Sequence, residues 1–134
     1  MRSIKAGMVA LLIMVAMSSN MGVATAQASC LSVNGASVSV ADANAAIQAL
    51  RNTPGQCCQN NCGGFFTLML TSGNAALTIG GSCGFCLSCT DAGSDLNIAL
   101  SQCIDGNNQV QAAYGVDGSQ KILYVTSVSA RPIG

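Results

Sequence analysis

Eight cysteines constrain this chain more than any other feature: Cys30, Cys57, Cys58, Cys62, Cys83, Cys86, Cys89 and Cys103. An even set of cysteines in a small oxidised protein is a disulfide framework, whereas in a reducing compartment it points to metal or redox chemistry. The start of the chain decides between them. Arg2 and Lys5 precede an apolar run from Ala6 to Met17, and a small-residue stretch, Met21 to Ala28, follows. The run is shorter than the roughly 20 apolar residues of a membrane-spanning helix. Ala24-Thr25-Ala26 and Ala26-Gln27-Ala28 each offer an A-x-A cleavage pattern. Residues 1–28 therefore read as a secretory signal peptide, cut after Ala26 or Ala28. Residues 29–134 are expected to form a single disulfide-stabilised domain, secreted and extracellular, with no membrane span in the mature chain. All eight cysteines lie in that part and are expected to be bridged. Their pairing stays open at this point.

Charge narrows the partners. Arg51, Lys121 and Arg131 remain downstream of the signal, against Asp42, Asp91, Asp95, Asp105 and Asp117, for a net charge of −2. There is no basic patch to hold phosphates, so no nucleic-acid partner is expected. The chain is expected to be a monomer that meets an unknown extracellular or host-cell target.

The periodicity predicts a first helix over Ser37 to Arg51. Val40, Ala43, Ile47 and Leu50 recur at helical spacing, Ser39 is the expected N-cap, and Asp42 suits the first turn. Pro54 closes it. A second helix is predicted over Ser94 to Ile104, with Leu96, Ala99, Leu100, Cys103 and Ile104 inward, Ser94 as cap and Gly106 as stop. Strands are predicted at Cys30 to Val33, Phe65 to Leu70, Ala75 to Ile79, Gln109 to Val116 and Lys121 to Val128. Phe65 to Leu70, nearly apolar throughout, is expected to be central. Ser72-Gly73-Asn74 and Asp117-Gly118 mark the hairpin turns. The resulting αββαββ order predicts an α+β fold. It is a small disulfide-rich α/β sandwich: an antiparallel four- to five-stranded sheet with two helices on one face. Its core has few aromatics, so disulfides at about 2–4 kcal/mol each are expected to carry much of the stability.

The missing residue types exclude chemistry. The chain has no histidine, glutamate or tryptophan. Ser-His-Asp and Cys-His machinery is therefore impossible. Asp91 and Asp95 are the one carboxylate pair worth weighing as a glycosidase site. Their place near the start of a helix accounts for them through the helix dipole, and no catalytic residue is assigned. Zinc would need Cys83, Cys86 and Cys89 with one of Cys57, Cys58 or Cys62, all as thiolates that oxidation would consume. No metal and no cofactor is expected. Cys83-Gly84-Phe85-Cys86 looks like a thioredoxin-type redox motif, but such a motif opens a helix, and the expected helix begins only at Ser94. In an extended stretch, Cys83 and Cys86 point to opposite faces. One is then expected to face Cys103 and the helices, the other the Cys57–Cys62 loop. Adjacent Cys57 and Cys58 favour separate partners.

Two stretches are similar to a known family. Gly81-Ser82-Cys83-Gly84-Phe85 resembles the Gly-Ser-Cys-Ala-Phe strand of secreted fungal effectors of the necrosis-inducing-factor type. In that family a helix and a Val-Gly-Ala-x-Gly strand follow. Here the corresponding strand is Val110-Gln111-Ala112-Ala113-Tyr114-Gly115. Val40-Ala41-Asp42 also resembles the family's helix start, where Asp-Cys is usual. This chain has Ala43 there, so that disulfide does not carry over. The cysteines at 57, 58, 62, 86 and 89 and the final strand also depart from the pattern. The resemblance spans roughly residues 36 to 118, and the related killer-toxin α/β sandwich suits the element order. It implies a secreted effector or toxin-like protein that binds a host or competitor target without catalysis, and it implies no residue-level site. Two other readings compete. A hydrophobin-like surface-active protein would carry two Cys-Cys doublets, and this chain has one. A defence peptide or inhibitor would need a reactive loop that the sequence does not mark.

Overall fold

The protein is described by a computed structural model over residues 27–116 and 120–134. The signal reading falls almost wholly on residues 1–26, outside the described residues, as does the Asp117-Gly118 turn. The strands are β1 (Gln27–Cys30), β2 (Val38–Ser39), β3 (Gln56–Cys58), β4 (Phe66–Ser72), β5 (Ala75–Gly81), β6 (Cys86–Ser88), β7 (Gln109–Val110), β8 (Ala112–Gly115) and β9 (Lys121–Ser127). The helices are α1 (Val40–Arg51) and α2 (Cys89–Gln102). Five strands form one antiparallel sheet in the order β1-β8-β9-β5-β4. Two short antiparallel ribbons, β2 with β7 and β3 with β6, complete the α+β, disulfide-rich architecture.

Both helices cover one face of the sheet. Ala43, Ile47 and Leu50 of α1 and Leu96, Ala99 and Leu100 of α2 share one buried cluster with Leu77, Ile79, Ala112, Leu123 and Val125. The sheet residues in this cluster alternate along their strands, so their neighbours point to the opposite face. Many of these side chains are small, which lets the layers approach closely but leaves little apolar area to bury.

Helix α1 forms for the reasons its sequence advertises. The Ser39 hydroxyl accepts from the Asp42 amide at 3.1 Å, capping the first turn. Asp42 does a second job: its carboxylate accepts from the Asn74 amide at 3.0 Å, tying the helix start to the β4–β5 turn. Gly73 makes that approach possible. Its φ is +57°, and a β-carbon there would fall on the Asp42 carboxylate. Ser37 lies outside the helix, and Val38 and Ser39 are extended rather than helical, because they pair with Val110 and Gln109.

Several expectations need correction. Helix α2 runs over Cys89–Gln102, not Ser94 to Ile104, and its cap is Ser88, whose hydroxyl accepts from the Asp91 amide at 3.0 Å. Cys103 is its C-cap, Gly106 lies beyond it, and Ile104 is 45% exposed rather than inward. Gly93 sits inside α2 because a β-carbon there would meet the backbone of Arg51 and Ile47. The Thr90 hydroxyl donates to the Arg51 carbonyl at 3.0 Å, fixing the same junction. The strand expected at Cys30 to Val33 lies upstream, at Gln27–Cys30. The apolar strand β4 is an edge strand, and β5, β9 and β8 are the inner ones. Its outward residues Phe66 and Leu68 are apolar although neither α1 nor α2 covers that face. The strand expected from Gln109 to Val116 breaks at Gln111. There the side chain takes over the pairing: its oxygen accepts from Val33 N at 2.9 Å and its NH₂ donates to Val33 O at 3.0 Å.

Candidate functional site

The stretch richest in reactive residue types becomes a covalent clamp. Ribbon β3–β6 places Gln56 opposite Ser88, Cys57 opposite Leu87 and Cys58 opposite Cys86. Three disulfides then tie the two segments in nested order: Cys57–Cys89, Cys58–Cys86 and Cys62–Cys83. The fourth, Cys30–Cys103, joins β1 to the end of α2 across 73 residues of sequence. Cys83 and Cys86 therefore both reach the Cys57–Cys62 loop, and Cys103 takes Cys30 instead of either. Ribbon pairing explains the difference. The antiparallel register of β3 and β6 carries the whole run Cys83 to Cys89 past one partner segment, so no member is free to turn toward Cys103. Cys57 and Cys58 do take separate partners.

This pairing decides the chemistry of the run. All eight cysteines are in disulfides, which leaves no thiolate to ligate zinc or to attack a disulfide. Cys83 and Cys86 are not bonded to each other, so the Cys-x-x-Cys pattern does not form a redox pair.

A residue that sequence reasoning missed sits at the centre of the clamp. Gln59 is completely buried between the bridged Cys58 and Cys62. Its NH₂ donates to the Gly81 carbonyl at 2.9 Å and to the Asn61 carbonyl at 3.2 Å. Its side-chain oxygen accepts from Asn61 N at 2.8 Å and from the Thr67 hydroxyl at 2.6 Å. Its backbone completes a bridge to the other segment: Gln59 N donates to Phe85 O, and Gly84 N donates to Gln59 O, both at 2.7 Å. Both donors and the side-chain oxygen of Gln59 are thus engaged, as a buried amide requires. In the sequence Gln59 is one polar residue among QCCQNNC. Only its position between two cysteines distinguishes it.

Three of the five aromatic side chains, Phe65, Phe66 and Tyr124, gather beside the clamp, on the sheet face away from the helices, whereas Tyr114 lies in the core and Phe85 packs against it. Phe65 and Phe66 meet edge to face with centroids 5.1 Å apart, and Phe66 meets Tyr124 in the same way at 5.7 Å. Gly80 makes room, since a β-carbon there would strike the Phe66 ring. Phe65 is 36% and Leu68 43% exposed. The Lys121 ammonium lies 5.3 Å from the centre of the Phe85 ring, a cation–π contact at the edge of the clamp. The chain beyond β9 first bonds at the far β4–β5 turn, where Val128 N donates to Asn74 O, and its last residue returns to the aromatic cluster, where Phe65 N donates to the Gly134 carbonyl.

The carboxylates lie elsewhere. Asp91 is exposed in the first turn of α2, and Asp95 is half-buried one turn further along. Burial, then the neighbouring charge of Asp91, holds the Asp95 carboxyl above the usual carboxylate range. Burial, then the charge of Asp95, pushes the Tyr114 phenol up. A polar cleft of about 270 Å³ opens beside the Cys30–Cys103 bridge, lined among others by Ser37, Asp105 and Gln111. Its polar groups are largely engaged within the fold. The Gln111 NH₂ also donates to Ser37, and one Asp105 oxygen accepts from the Asn107 and Gln109 amides. Among the described residues no cluster of three or more metal-ligating side chains forms, and no helix is long and apolar enough to cross a membrane.

Comparison with protein-family models, with curated proteins and with solved structures gives no match.

Proposed function

We propose that this chain is a small secreted effector or toxin-like protein that acts in the extracellular space by binding a host or competitor target, not by catalysis. The observation that carries this reading is the clamp. Three nested disulfides and a buried glutamine hold two loops rigidly beside an exposed apolar strand edge. Disulfides persist in oxidising compartments, which supports secretion, as does the basic, apolar and small-residue start of the sequence. The similarity of residues 81–85 and 110–115 to effectors of the necrosis-inducing-factor type supports the functional class. Rigid loops favour binding because little conformational freedom is lost when a partner docks. Phe65 and Leu68 supply apolar contact next to them.

The test applies the purified, oxidised protein to plant cells and to competing microbial cells and measures ion leakage and viability. The expected result is cell damage by the oxidised protein, abolished by reduction and alkylation and retained by the double variant Asp91→Asn, Asp95→Asn. Turnover of a substrate that disappears in that double variant would overturn the non-catalytic reading. Rodlet or foam formation without any effect on cells would favour a surface-active protein instead.

A further inference from the structure

The leader offers two equivalent cleavage patterns, one after Ala26 and one after Ala28. The fold distinguishes them. Strand β1 pairs with β8 through four residues: Gln27 with Gly115, Ala28 with Tyr114, Ser29 with Ala113 and Cys30 with Ala112. Ala28 packs against the buried cluster. A cut after Ala28 would remove half of this strand and an apolar side chain from the core edge. A cut after Ala26 keeps all four of these pairs, and the strand is anchored at its far end by the Cys30–Cys103 bridge. The mature chain then starts with glutamine.

We propose that Gln27 is the mature N-terminus and that it cyclises to pyroglutamate. The inference rests on the secretion reading above. The step needs no co-reactant. The free α-amino nitrogen of Gln27 attacks the side-chain amide carbon, a lactam C–N bond forms, the amide C–N bond breaks, and its nitrogen leaves with the displaced proton as ammonia. The structure accommodates the product. Gln27 is exposed at the end of an edge strand, so a five-membered ring meets no packed neighbour layer. The lactam keeps one N–H, so a donor remains at the strand end, while the positive charge of the terminal ammonium is lost. A terminus without a free amine also resists aminopeptidases, which suits a protein that works outside the cell.

The experiment expresses the full-length chain in a secreting eukaryotic host and examines the protein recovered from the medium by peptide mass spectrometry and stepwise N-terminal degradation. The expected N-terminal peptide begins at residue 27, is lighter than the uncyclised peptide by one ammonia, and is blocked to degradation. Treatment with pyroglutamyl aminopeptidase should unblock it, so that reading starts at Ala28. A secreted chain starting at Ser29, or at Gln27 with a free amine that persists on incubation at neutral pH, overturns the inference and leaves the secretion reading standing. A chain retained in cells with residues 1–26 attached overturns the secretion reading itself. A shortened chain starting at Ser29 is expected to unfold at lower urea than one starting at Gln27. Equal midpoints would remove the structural reason for preferring the earlier cut.

Discussion

Replacing Gln59 tests whether the clamp depends on its buried amide as well as on sulfur. In Gln59→Ala the Gly81 carbonyl, which the side chain reaches in a fully buried setting, loses its partner. An unsatisfied buried acceptor costs about 1–3 kcal/mol. The other three bonds, to Asn61 N, Asn61 O and the Thr67 hydroxyl, are partly buried, so water replaces them in part. Each is worth about 0.5–1.5 kcal/mol. With some relaxation of the loop, the expected loss is about 3–5 kcal/mol. The chain has no tryptophan, so urea unfolding with the disulfides intact is followed by far-ultraviolet circular dichroism. A loss below about 1 kcal/mol would refute the reasoning. Gln59→Glu separates hydrogen bonding from volume. Two carbonyl oxygens face the position of the NH₂, so an ionised carboxylate there would be repelled and its folded pKa would rise above the unfolded value. The variant should come closest to wild type below the ordinary glutamate value of about 4.3. It should lose stability as pH climbs through its raised pKa. A wild-type-to-variant gap that does not change with pH would contradict this placement of the amide.

Two further outcomes follow from the bridges and the carboxylates. Cys62 and Cys83 are both exposed, whereas Cys89 is buried, so graded reduction should open Cys62–Cys83 before Cys57–Cys89. Replacing both members of Cys30–Cys103 by serine should cost about 4 kcal/mol, because that bridge closes the longest loop. Removing Cys62–Cys83 should cost only about 2–3 kcal/mol, since Cys58–Cys86 already holds its loop nearly shut. Equal losses, measured by urea unfolding, would count against the nested account. Asp95 has a folded pKa raised by burial and by Asp91. Its contribution is therefore fully present below the unfolded value of about 3.9 and is lost as pH rises through the folded value. Asp95→Asn should be more stable than wild type at neutral pH, with the gap closing in acid. A variant less stable at neutral pH than in acid, relative to wild type, would reverse the sign.

Local signals carried the parts of the fold that are locally determined. Ser39, Asp42 and the spacing of Ala43, Ile47 and Leu50 specify α1, and the structure follows them. The start of α2 was legible in principle, because Ser88 and Asp91 stand at cap spacing just as Ser39 and Asp42 do. It was obscured by Gly93, a poor helix former. That glycine is in the helix because α1 packs where its side chain would be, which is tertiary information. Strand β4 read as central because it is apolar on both faces. The structure assigns those faces to different neighbours, Leu70 to the helix side and Phe66 to the aromatic cluster. The cysteines were legible as a set but not as pairs. Pairing depends on β3 and β6 lying in register, and a three-residue ribbon leaves almost no periodicity to detect.

The distribution of the bridges bears on what such a fold is suited to do. The helix–sheet core is built largely from alanine, valine and leucine, so closer packing cannot add much stability. Yet the disulfides are not spread evenly around it. Three of the four crowd one end, where chain-entropy arguments give diminishing returns, because each inner bridge closes a loop that an outer one has already shortened. Global stability alone would favour bridges with long separate loops, as in Cys30–Cys103. Local rigidity is what nesting supplies: it fixes residues 57–62 and 83–89 relative to one another even while the rest of the chain breathes. Gln59 adds the same local constraint through hydrogen bonds, at the same end. A surface held rigid beyond the needs of folding is what preorganised recognition requires. The clamp, with Phe65 and Leu68 exposed beside it, is therefore the part of this protein on which substitutions should separate loss of target binding from loss of fold.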